Sequence, residues 1–444
     1  MVFKRFFERR ADAAAERAPT PLEPEVQEES ADEASAVEEG DAEWTDAIDW
    51  RARANAVLPT GASTGSKRAE ALYGRADAHG PTHFLRANGC HVVDADEREY
   101  IDCTMALGSV ALGYAEPRVT QAVIAAVGAG NVSGLSGVRE VLVAERLCDV
   151  IPCAERVQFL KSGAEAMSAA IRIARTHTGR DVVVGAGYFG WHDWSSDAAG
   201  VPAATRADFR RVPFDDVPAL ERAVDAADGA LAAIVLEPVV ERLPSPEWIA
   251  RARALCDRTG AVLVFDEIKT GFRLRTGGYQ EIAGVTPDLA AFGKALANGF
   301  PLAAVVGRDG VMDAAARTWI SSTLASEDAA LAAAQAVLDW HEEADICDAL
   351  ARAGREMRAC VDAAIAASGI AGVRTEGLDP MWFLRFDDPA HETRFLELAA
   401  RGGALFKRGA YNYASVAHDD DVVRELEGIA SEAFVRLRDE LARG

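Results

Sequence analysis

Lysine is scarce in this chain. Of its 47 lysine and arginine residues only six are lysines, at positions 4, 67, 161, 269, 294 and 407. Arginine therefore supplies most of the positive surface charge, and a lysine that ends an apolar run needs a chemical explanation. Lys294 ends such a run, residues 288–294. A desolvated lysine, unlike an arginine, can lose its proton and attack a carbonyl group, so Lys294 is a candidate nucleophile.

Several other features are missing, and each argues against a class of protein. No run approaches the roughly 20 apolar residues that cross a membrane. The seven cysteines contain no CxxC pair, which predicts reduced thiols in a cytoplasmic protein. His192 and His418 have no partners at metal-ligand spacing, so we expect no metal site. The net charge of −23 argues against nucleic acid as a partner.

The distribution of charged and apolar residues predicts four segments. Residues 18–49 contain no Lys or Arg and are rich in Glu and Asp, so we expect residues 1–49 to be a disordered acidic tail. We expect residues 50–95 to be an N-terminal segment that packs with a small domain. Residues 96–325 are predicted to form a large domain, and residues 326–444 the small C-terminal domain.

Seven short apolar runs alternate with helical patterns in the large domain. This alternation predicts an α/β fold with a mostly parallel seven-stranded sheet that is covered on both faces. Beyond residue 325 the chain is helical, with short strands near residues 373–375 and 381–386 and a last helix from Asp420, which predicts a smaller α+β domain. The seven predicted strands are residues 156–160, 182–185, 209–212, 232–237, 261–265, 289–292 and 302–306.

A tight turn at residues 162–165 follows the first of these strands and starts a helix. The first amides of a helix have no partners within it, and the helix dipole favours an anion there, so Ser162 and Gly163 could form a phosphate cup. The other interpretation is a capping box, because Glu165 lies three residues after Ser162.

Residues 185–190 match the pattern GxGxxG after a strand. The dinucleotide interpretation fails on context, because a polar and aromatic loop follows instead of an apolar helix. Tyr188 could lie flat on a planar cofactor ring, or it could be an ordinary core aromatic.

Asp266 follows the apolar strand at residues 261–265. A carboxylate there could keep a pyridine nitrogen protonated, or it could be a helix cap or a surface ion pair. The neighbouring Glu267, and Glu237 at another strand end, are expected to be structural. Arg273 could bind a substrate carboxylate or be structural. A lysine amine and a buried carboxylate at two strand ends together indicate amine chemistry on pyridoxal phosphate (PLP).

The order of four sequence elements resembles that of the class III pyridoxal-phosphate aminotransferases, in the branch of glutamate-1-semialdehyde aminomutase. The resemblance runs from about Tyr73 to the C-terminus, and the DEIKTGFR block at residues 266–273 is the most specific element. It implies PLP fold type I, a PLP-binding large domain and a homodimer with active sites at the interface. The four elements are residues 162–165, 188–190, 266–273 and 292–295.

The resemblance also implies roles for individual residues. Lys294 would be the Schiff-base lysine, and Asp266 would pair with the ring nitrogen. Tyr188 and Ile268 would lie on the two faces of the ring. The phosphate would be held by Ser162, Gly163 and Ala164, and by Thr323 of the partner subunit. Arg273 and Phe189 would contact substrate.

Two residues depart from the pattern of the aminomutase branch. Ala164 stands where that branch has Ser or Thr, which removes a hydroxyl from the phosphate cup. Phe189 stands where it has His. We expect an aminotransferase that cycles between PLP and pyridoxamine phosphate with a small-molecule amino donor and a specialised carbonyl acceptor. The alternatives are an intramolecular aminomutase and a non-catalytic PLP-binding homologue; a nicotinamide dehydrogenase is less favoured.

Overall fold

The computed structural model describes residues 49–443, so the predicted acidic tail lies outside the described residues except for Asp49. Asp49 caps the first helix by accepting a hydrogen bond from the Ala52 amide at 2.8 Å. The helices are α1 (Trp50–Val57), α2 (Ala69–Tyr73), α3 (Pro117–Ala129), α4 (Val138–Val150), α5 (Gly163–Thr178), α6 (Val217–Asp225), α7 (Pro246–Thr259), α8 (Gln280–Ala283), α9 (Asp309–Met312), α10 (Asp328–Glu343), α11 (Ile346–Ser368), α12 (Pro389–Arg401) and α13 (Asp420–Leu441).

The strands form three sheets. They are β1 (Phe84–Asn88), β2 (His91–Asp94), β3 (Glu99–Asp102), β4 (Arg156–Leu160), β5 (Val182–Ala186), β6 (Phe209–Arg211), β7 (Leu231–Leu236), β8 (Val262–Asp266), β9 (Leu289–Phe292), β10 (Ala303–Gly307), β11 (Val373–Leu378), β12 (Met381–Phe386), β13 (Ala404–Leu405) and β14 (Asn412–Tyr413). Four-residue or five-residue 3-10 turns at Ala203–Arg206, Lys294–Ala297 and Asp313–Arg317 connect some of them.

The largest sheet has seven strands in the order β4-β10-β9-β8-β7-β5-β6. Only β10 runs antiparallel to its neighbours, β4 and β9, while β9, β8, β7, β5 and β6 are parallel. The predicted α/β class and the seven-stranded, mostly parallel sheet are therefore confirmed, and each predicted strand end lies within one residue of the observed one.

Helices cover both faces of this sheet. Residues that alternate along β8 point to opposite sides: Val264 packs with α5 on one face, whereas Leu263 and Phe265 pack with α7 on the other. The apolar runs have no polar alternation because both sides are buried, as is typical of parallel sheets. The chain can therefore expose functional side chains only at the strand ends.

The other two sheets join distant parts of the chain. The first has the order β1-β2-β3-β13, in which β3 pairs in parallel with β13 across about 300 residues. The predicted boundary at residue 95 falls within this sheet, because it separates β2 from its partner β3. The third sheet is β11-β12-β14, so the predicted strand at residues 373–375 extends to Leu378. The described residues lie in one compact unit, and the domain boundaries stay predictions.

Two further properties of the described residues are the lengths of their apolar helices and the state of their cysteines. None of the helices between residues 49 and 443 is long and apolar enough to cross a membrane. All seven cysteines are free thiols.

Candidate active site

Lys294 follows β9 directly after Gly293 and begins the 3-10 turn Lys294–Ala297. Its backbone has a left-handed φ of 48°, which a residue with a side chain adopts only when its surroundings hold it there. The residue is half-buried, and its Nζ has no hydrogen-bond partner in the part of the chain that the structure describes. The amine is thus free to bind a ligand.

The pKa of the Lys294 amine is lowered from the ordinary 10.5 to about 8. Burial is the largest cause, and the positive charge of Lys269 comes second. Asp266 and Glu237 raise the pKa and offset part of this effect. A substantial fraction of the amine is therefore neutral near physiological pH, as nucleophilic attack on a carbonyl requires.

Asp266 ends β8, which is the parallel neighbour of β9, and it is level with Ala291. Its side chain is 5% exposed, and Oδ1 accepts a hydrogen bond from the Ile268 amide at 3.1 Å. Burial, followed by the nearby Glu237, raises the pKa of this carboxyl to about 7. The parallel strands bring a buried carboxyl and the Lys294 amine to the same edge of the sheet.

The turn before α5 contains both a capping box and free amides that could bind a phosphate, the two interpretations that the sequence left open. The capping box is present: the Ser162 hydroxyl accepts from the Glu165 amide, and the Glu165 carboxylate accepts from the amides of Lys161 and Ser162 at 3.0 and 2.9 Å. The amides of Gly163 and Ala164 make no hydrogen bond within residues 49–443. Two unpaired donors at the N-terminus of a 16-residue helix remain available for an anion.

The glycines of the site show how closely its parts approach one another. A Cβ built on Gly163 would lie 2.6 Å from Cδ1 of Ile268, and a Cβ on Gly190 would lie 2.5 Å from Cβ of Ala164. A Cβ on Gly293 would lie 3.6 Å from Cγ2 of Ile268. The phosphate turn, the aromatic loop, the segment after β8 and the segment before Lys294 therefore meet in one place.

Two predicted contact residues lie at the surface of this chain. Tyr188 is 71% exposed, and its amide donates to Glu237 Oε2 at 3.1 Å. Thr323 is also exposed, in the turn that precedes α10. Both positions leave the side chains free to contact a cofactor or a second subunit.

The geometry does not favour substrate contact by Phe189. Its side chain is 1% exposed and packs in the core against Trp194, with ring centroids 5.7 Å apart, and against Phe209. Although Phe189 neighbours the exposed Tyr188 in sequence, it points into the opposite, apolar side of the loop. Phe189 therefore holds the loop in place.

Arg273 is likewise placed in a structural position. Its side chain is fully buried, and its guanidinium donates to the carbonyls of Gly108, Pro380 and Ala414 at 2.8–3.2 Å. It also lies over the Tyr413 ring, 4.9 Å from the centroid. Three backbone carbonyls occupy the donors that a substrate carboxylate would need, so the geometry favours the structural alternative.

A second lysine and a second carboxylate lie at the site, although the sequence assigns no role to Lys269 and predicts that Glu237 is structural. Lys269 Nζ binds Glu237 Oε1 at 2.6 Å and the Tyr411 hydroxyl at 3.0 Å. The rarity of lysine could have drawn attention to Lys269. The missing signal for Glu237 was that its strand, β7, is the neighbour of β8 in the sheet, which places it beside Asp266. Glu267 is structural, as predicted: it is buried and accepts from the Tyr279 and Gln280 amides.

These residues fit PLP. A free amine can take an aldehyde, a buried carboxyl can pair with a ring nitrogen, and unpaired amides at a helix N-terminus can take a phosphate. Ile268 supplies an apolar wall beside that helix N-terminus. The donor set and the close approach at Gly163 thus match the parts of one cofactor.

Comparison with known proteins agrees with this fit. Residues 73–190 and 191–416 match the family "Aminotransferase class-III". A 2'-deamino-2'-hydroxyneamine transaminase of Streptomyces kanamyceticus is 36% identical over 70% of this chain and 79% of its own. A glutamate-1-semialdehyde 2,1-aminomutase of Anaeromyxobacter dehalogenans (strain 2CP-C) is 32% identical over 86% of this chain and 96% of its own.

A solved structure extends the likeness to the fold. The FumI protein of Sphingopyxis sp. MTA144, in its PLP internal aldimine form, has a TM-score of 0.84 and 29% identity. The match covers 89% of this chain and 97% of that one. The chain therefore belongs to the class III aminotransferases, a family of PLP-dependent enzymes.

Proposed function

We propose that Lys294 is the residue through which this aminotransferase binds PLP and moves an amino group from a donor to a carbonyl acceptor. The observation that carries the proposal is the meeting of the Lys294 amine and the Asp266 carboxyl at the ends of two adjacent parallel strands. Among the five lysines that the structure describes, Lys294 combines a lowered pKa with an unpaired Nζ at this edge.

The other residues would hold the cofactor by complementary chemistry. The amides of Gly163 and Ala164, with the Ser162 hydroxyl, would hold the phosphate. Asp266 would bind the ring nitrogen, because a buried carboxyl gains most from a cationic partner. Tyr188 and Ile268 would flank the ring. When bound, PLP supplies an aldehyde that combines with amines and a ring that accepts electrons from the adjacent carbon.

Lys294 would also move the proton of the reaction. Its amine is held at the end of β9 by the turn Lys294–Ala297, and a pKa of about 8 allows it to accept and return a proton near neutral pH. Asp266 would carry the negative charge that keeps a proton on the ring nitrogen. We therefore assign proton transfer at the amine-bearing carbon to Lys294.

We further propose a cytoplasmic homodimer in which Thr323 reaches the phosphate of the partner subunit. The exposure of Thr323 and of the aromatic Tyr188 supports this arrangement, as does the exposure of Trp319, at 80%. Large exposed apolar side chains close to a ligand site are typical of an interface. In a dimer, the partner subunit would cover these exposed side chains.

An intramolecular aminomutase is the second candidate. The near full-length match to an aminomutase, over 96% of that relative, favours it. The two activities differ in their substrate requirement. A transferase needs a separate amino donor, whereas a mutase converts one amino-carbonyl compound in the absence of a donor.

Lysine mapping tests the assignment. Borohydride reduction of the PLP-loaded enzyme should leave a pyridoxyl group on the peptide that contains Lys294. Lys294→Ala should lose this label and the visible absorbance of the lysine-bound cofactor, along with turnover. Lys407→Ala is the matched control. Lys407 is a buried lysine outside the proposed site, where its ammonium donates to the carbonyls of Ser66 and Ala71. Full activity in Lys294→Ala would end the assignment.

A further inference from the structure

Lys269 is held in place by two hydrogen bonds. Its ammonium binds Glu237 Oε1 at 2.6 Å and the Tyr411 hydroxyl at 3.0 Å, and the side chain is only 7% exposed. The Tyr411 hydroxyl in turn accepts from the Glu241 amide at 2.7 Å. These contacts fix the position of one positive charge three residues after Asp266.

Glu237, Asp266 and Lys294 lie at the ends of the neighbouring strands β7, β8 and β9, and Lys269 is bound to Glu237 at this edge of the sheet. The charge of Lys269 therefore acts on Lys294. The charged groups that face the Lys294 amine are Lys269, Asp266, Glu237 and Arg273. Lys269 is the largest electrostatic contributor among them, and it opposes protonation of Lys294. Burial lowers the pKa of Lys269 itself, but Glu237 and Tyr411 raise it more, so its net pKa lies above the ordinary value and Lys269 keeps its proton.

We propose that Lys269 is a positioning residue whose ammonium, fixed by Glu237 and Tyr411, keeps the neighbouring Lys294 amine unprotonated by charge repulsion. The inference rests on the proposed role of Lys294 and adds a second lysine to it. Lys269 acts through Lys294 and needs no contact with the substrate. Glu237 is also required, because a buried ammonium without a carboxylate partner would lose its proton.

A purely structural ion pair would behave differently. Loss of a structural pair lowers stability, but it does not raise the protonation midpoint of another amine. The direction of the change therefore separates the two roles. Replacing Lys269 by the uncharged Met should make Lys294 easier to protonate, whereas Arg at the same position keeps the charge and should restore the original behaviour.

The experiment measures Lys294 directly in the full-length chain freed of PLP. Trace acetylation with acetic anhydride between pH 6 and pH 11, followed by peptide mass spectrometry, gives the midpoint at which Lys294 becomes reactive. We expect Lys269→Met to raise this midpoint by about one pH unit. A like charge nearby, at the effective dielectric constant of about 20 that describes protein sites, shifts the pKa of an amine by roughly that amount. Lys269→Arg and the remote control Lys407→Met should leave it unchanged.

A second variant, which removes both charges of the Lys269–Glu237 pair, keeps the test valid if Lys269→Met alone does not fold. Lys269→Met alone leaves Glu237 buried without a partner, so the double variant Lys269→Met/Glu237→Gln, which removes both charges, is compared with the wild type. The midpoint should still rise, but by less than in Lys269→Met, because Lys269 lowers the pKa of Lys294 more than Glu237 raises it. An unchanged or lowered midpoint in both comparisons would overturn the inference.

Borohydride mapping of the PLP-loaded wild type separates this failure from failure of the proposed function. If the pyridoxyl group is on Lys294 but its midpoint does not move, only the role of Lys269 is wrong. If the pyridoxyl group is on another lysine, the assignment of Lys294 is wrong, and the role of Lys269 fails with it.

Discussion

Replacing Asp266 by Asn should stabilise the PLP-free protein at high pH and weaken PLP binding. The pKa of this carboxyl is raised from 3.8 to about 7 because burial, and then Glu237, disfavour its negative charge. The attraction of Lys294 and Lys269 is already included in that value, since both lower the pKa. A neutral amide of the same shape avoids the charge and can still accept the hydrogen bond from the Ile268 amide.

The sign follows from proton binding. A carboxyl with a raised pKa binds its proton more tightly in the folded than in the unfolded state, so the free energy of unfolding falls as the pH rises from about 4 to about 7 and stays low above it. Each pH unit in that range costs about 1.4 kcal/mol. The advantage of Asp266→Asn should therefore grow from about 2 kcal/mol at pH 5.5 to about 4 kcal/mol at pH 8.5.

Urea unfolding of the PLP-free proteins at these two pH values measures the difference, at one fixed protein concentration because subunit association also changes stability. PLP affinity should change in the opposite direction, falling about tenfold or more, because Asn cannot supply the charge-assisted bond to the ring nitrogen. The reasoning would be refuted if Asp266→Asn exceeded the wild type in stability by the same amount at both pH values. It would also be refuted if the wild type were more stable than Asp266→Asn at pH 8.5.

The neighbouring Glu267 provides a matched comparison. Burial raises its pKa to about 7 as well, but its carboxylate accepts from the Tyr279 amide at 2.8 Å, the Gln280 amide at 3.0 Å and the Thr270 hydroxyl. Glu267→Gln would turn an NH₂ group toward these donors. We therefore expect Glu267→Gln to gain less stability than Asp266→Asn at pH 8.5, because its amide group gives up hydrogen bonds that are worth about 1–3 kcal/mol.

Two further changes test the phosphate cup and the buried arginine. Ala164→Ser should tighten PLP binding about fivefold in a fluorescence titration, because a hydroxyl adds about 1 kcal/mol to the cup; unchanged affinity would show that this position does not reach the phosphate. Arg273→Met should lower the free energy of unfolding in urea by about 3–5 kcal/mol, because the buried carbonyls of Gly108 and Ala414 lose their side-chain donor and that of Pro380 keeps only the Ala414 amide, while the KM of the folded enzyme stays constant. A selective rise in KM with unchanged stability would instead support the predicted carboxylate contact.

The sheet and the meeting of Lys294 with Asp266 could be predicted because both depend on local patterns. Unbroken apolar runs mark strands that are buried on two faces, and parallel strands bring their carboxyl ends to one edge. The four-stranded sheet could not be predicted in the same way, since β3 finds its partner β13 about 300 residues away. Pairing at that distance leaves no periodic signal in a single sequence.

The predicted substrate contacts needed information that only packing supplies. Phe189 and Tyr188 are adjacent, yet one is 1% and the other 71% exposed, because alternate residues of the loop face opposite ways. The sequence alone allows Arg273 to bind an anion, but in the structure its guanidinium donates to the carbonyls of Gly108, Pro380 and Ala414. These carbonyls come from three distant segments, so sequence reasoning could only leave the two roles open.

The two lysines of the site have the same chemistry in the unfolded chain and different states in the folded one. Lys269 has a carboxylate and a hydroxyl within hydrogen-bond distance, so it stays charged despite its burial. Within residues 49–443 Lys294 has neither, and the charge of Lys269 makes the protonation of Lys294 harder. Asp266 cannot reverse this, because its own pKa near 7 leaves it partly neutral until a cationic partner arrives. One fixed ammonium and one available amine are therefore consequences of where a single carboxylate, Glu237, is placed.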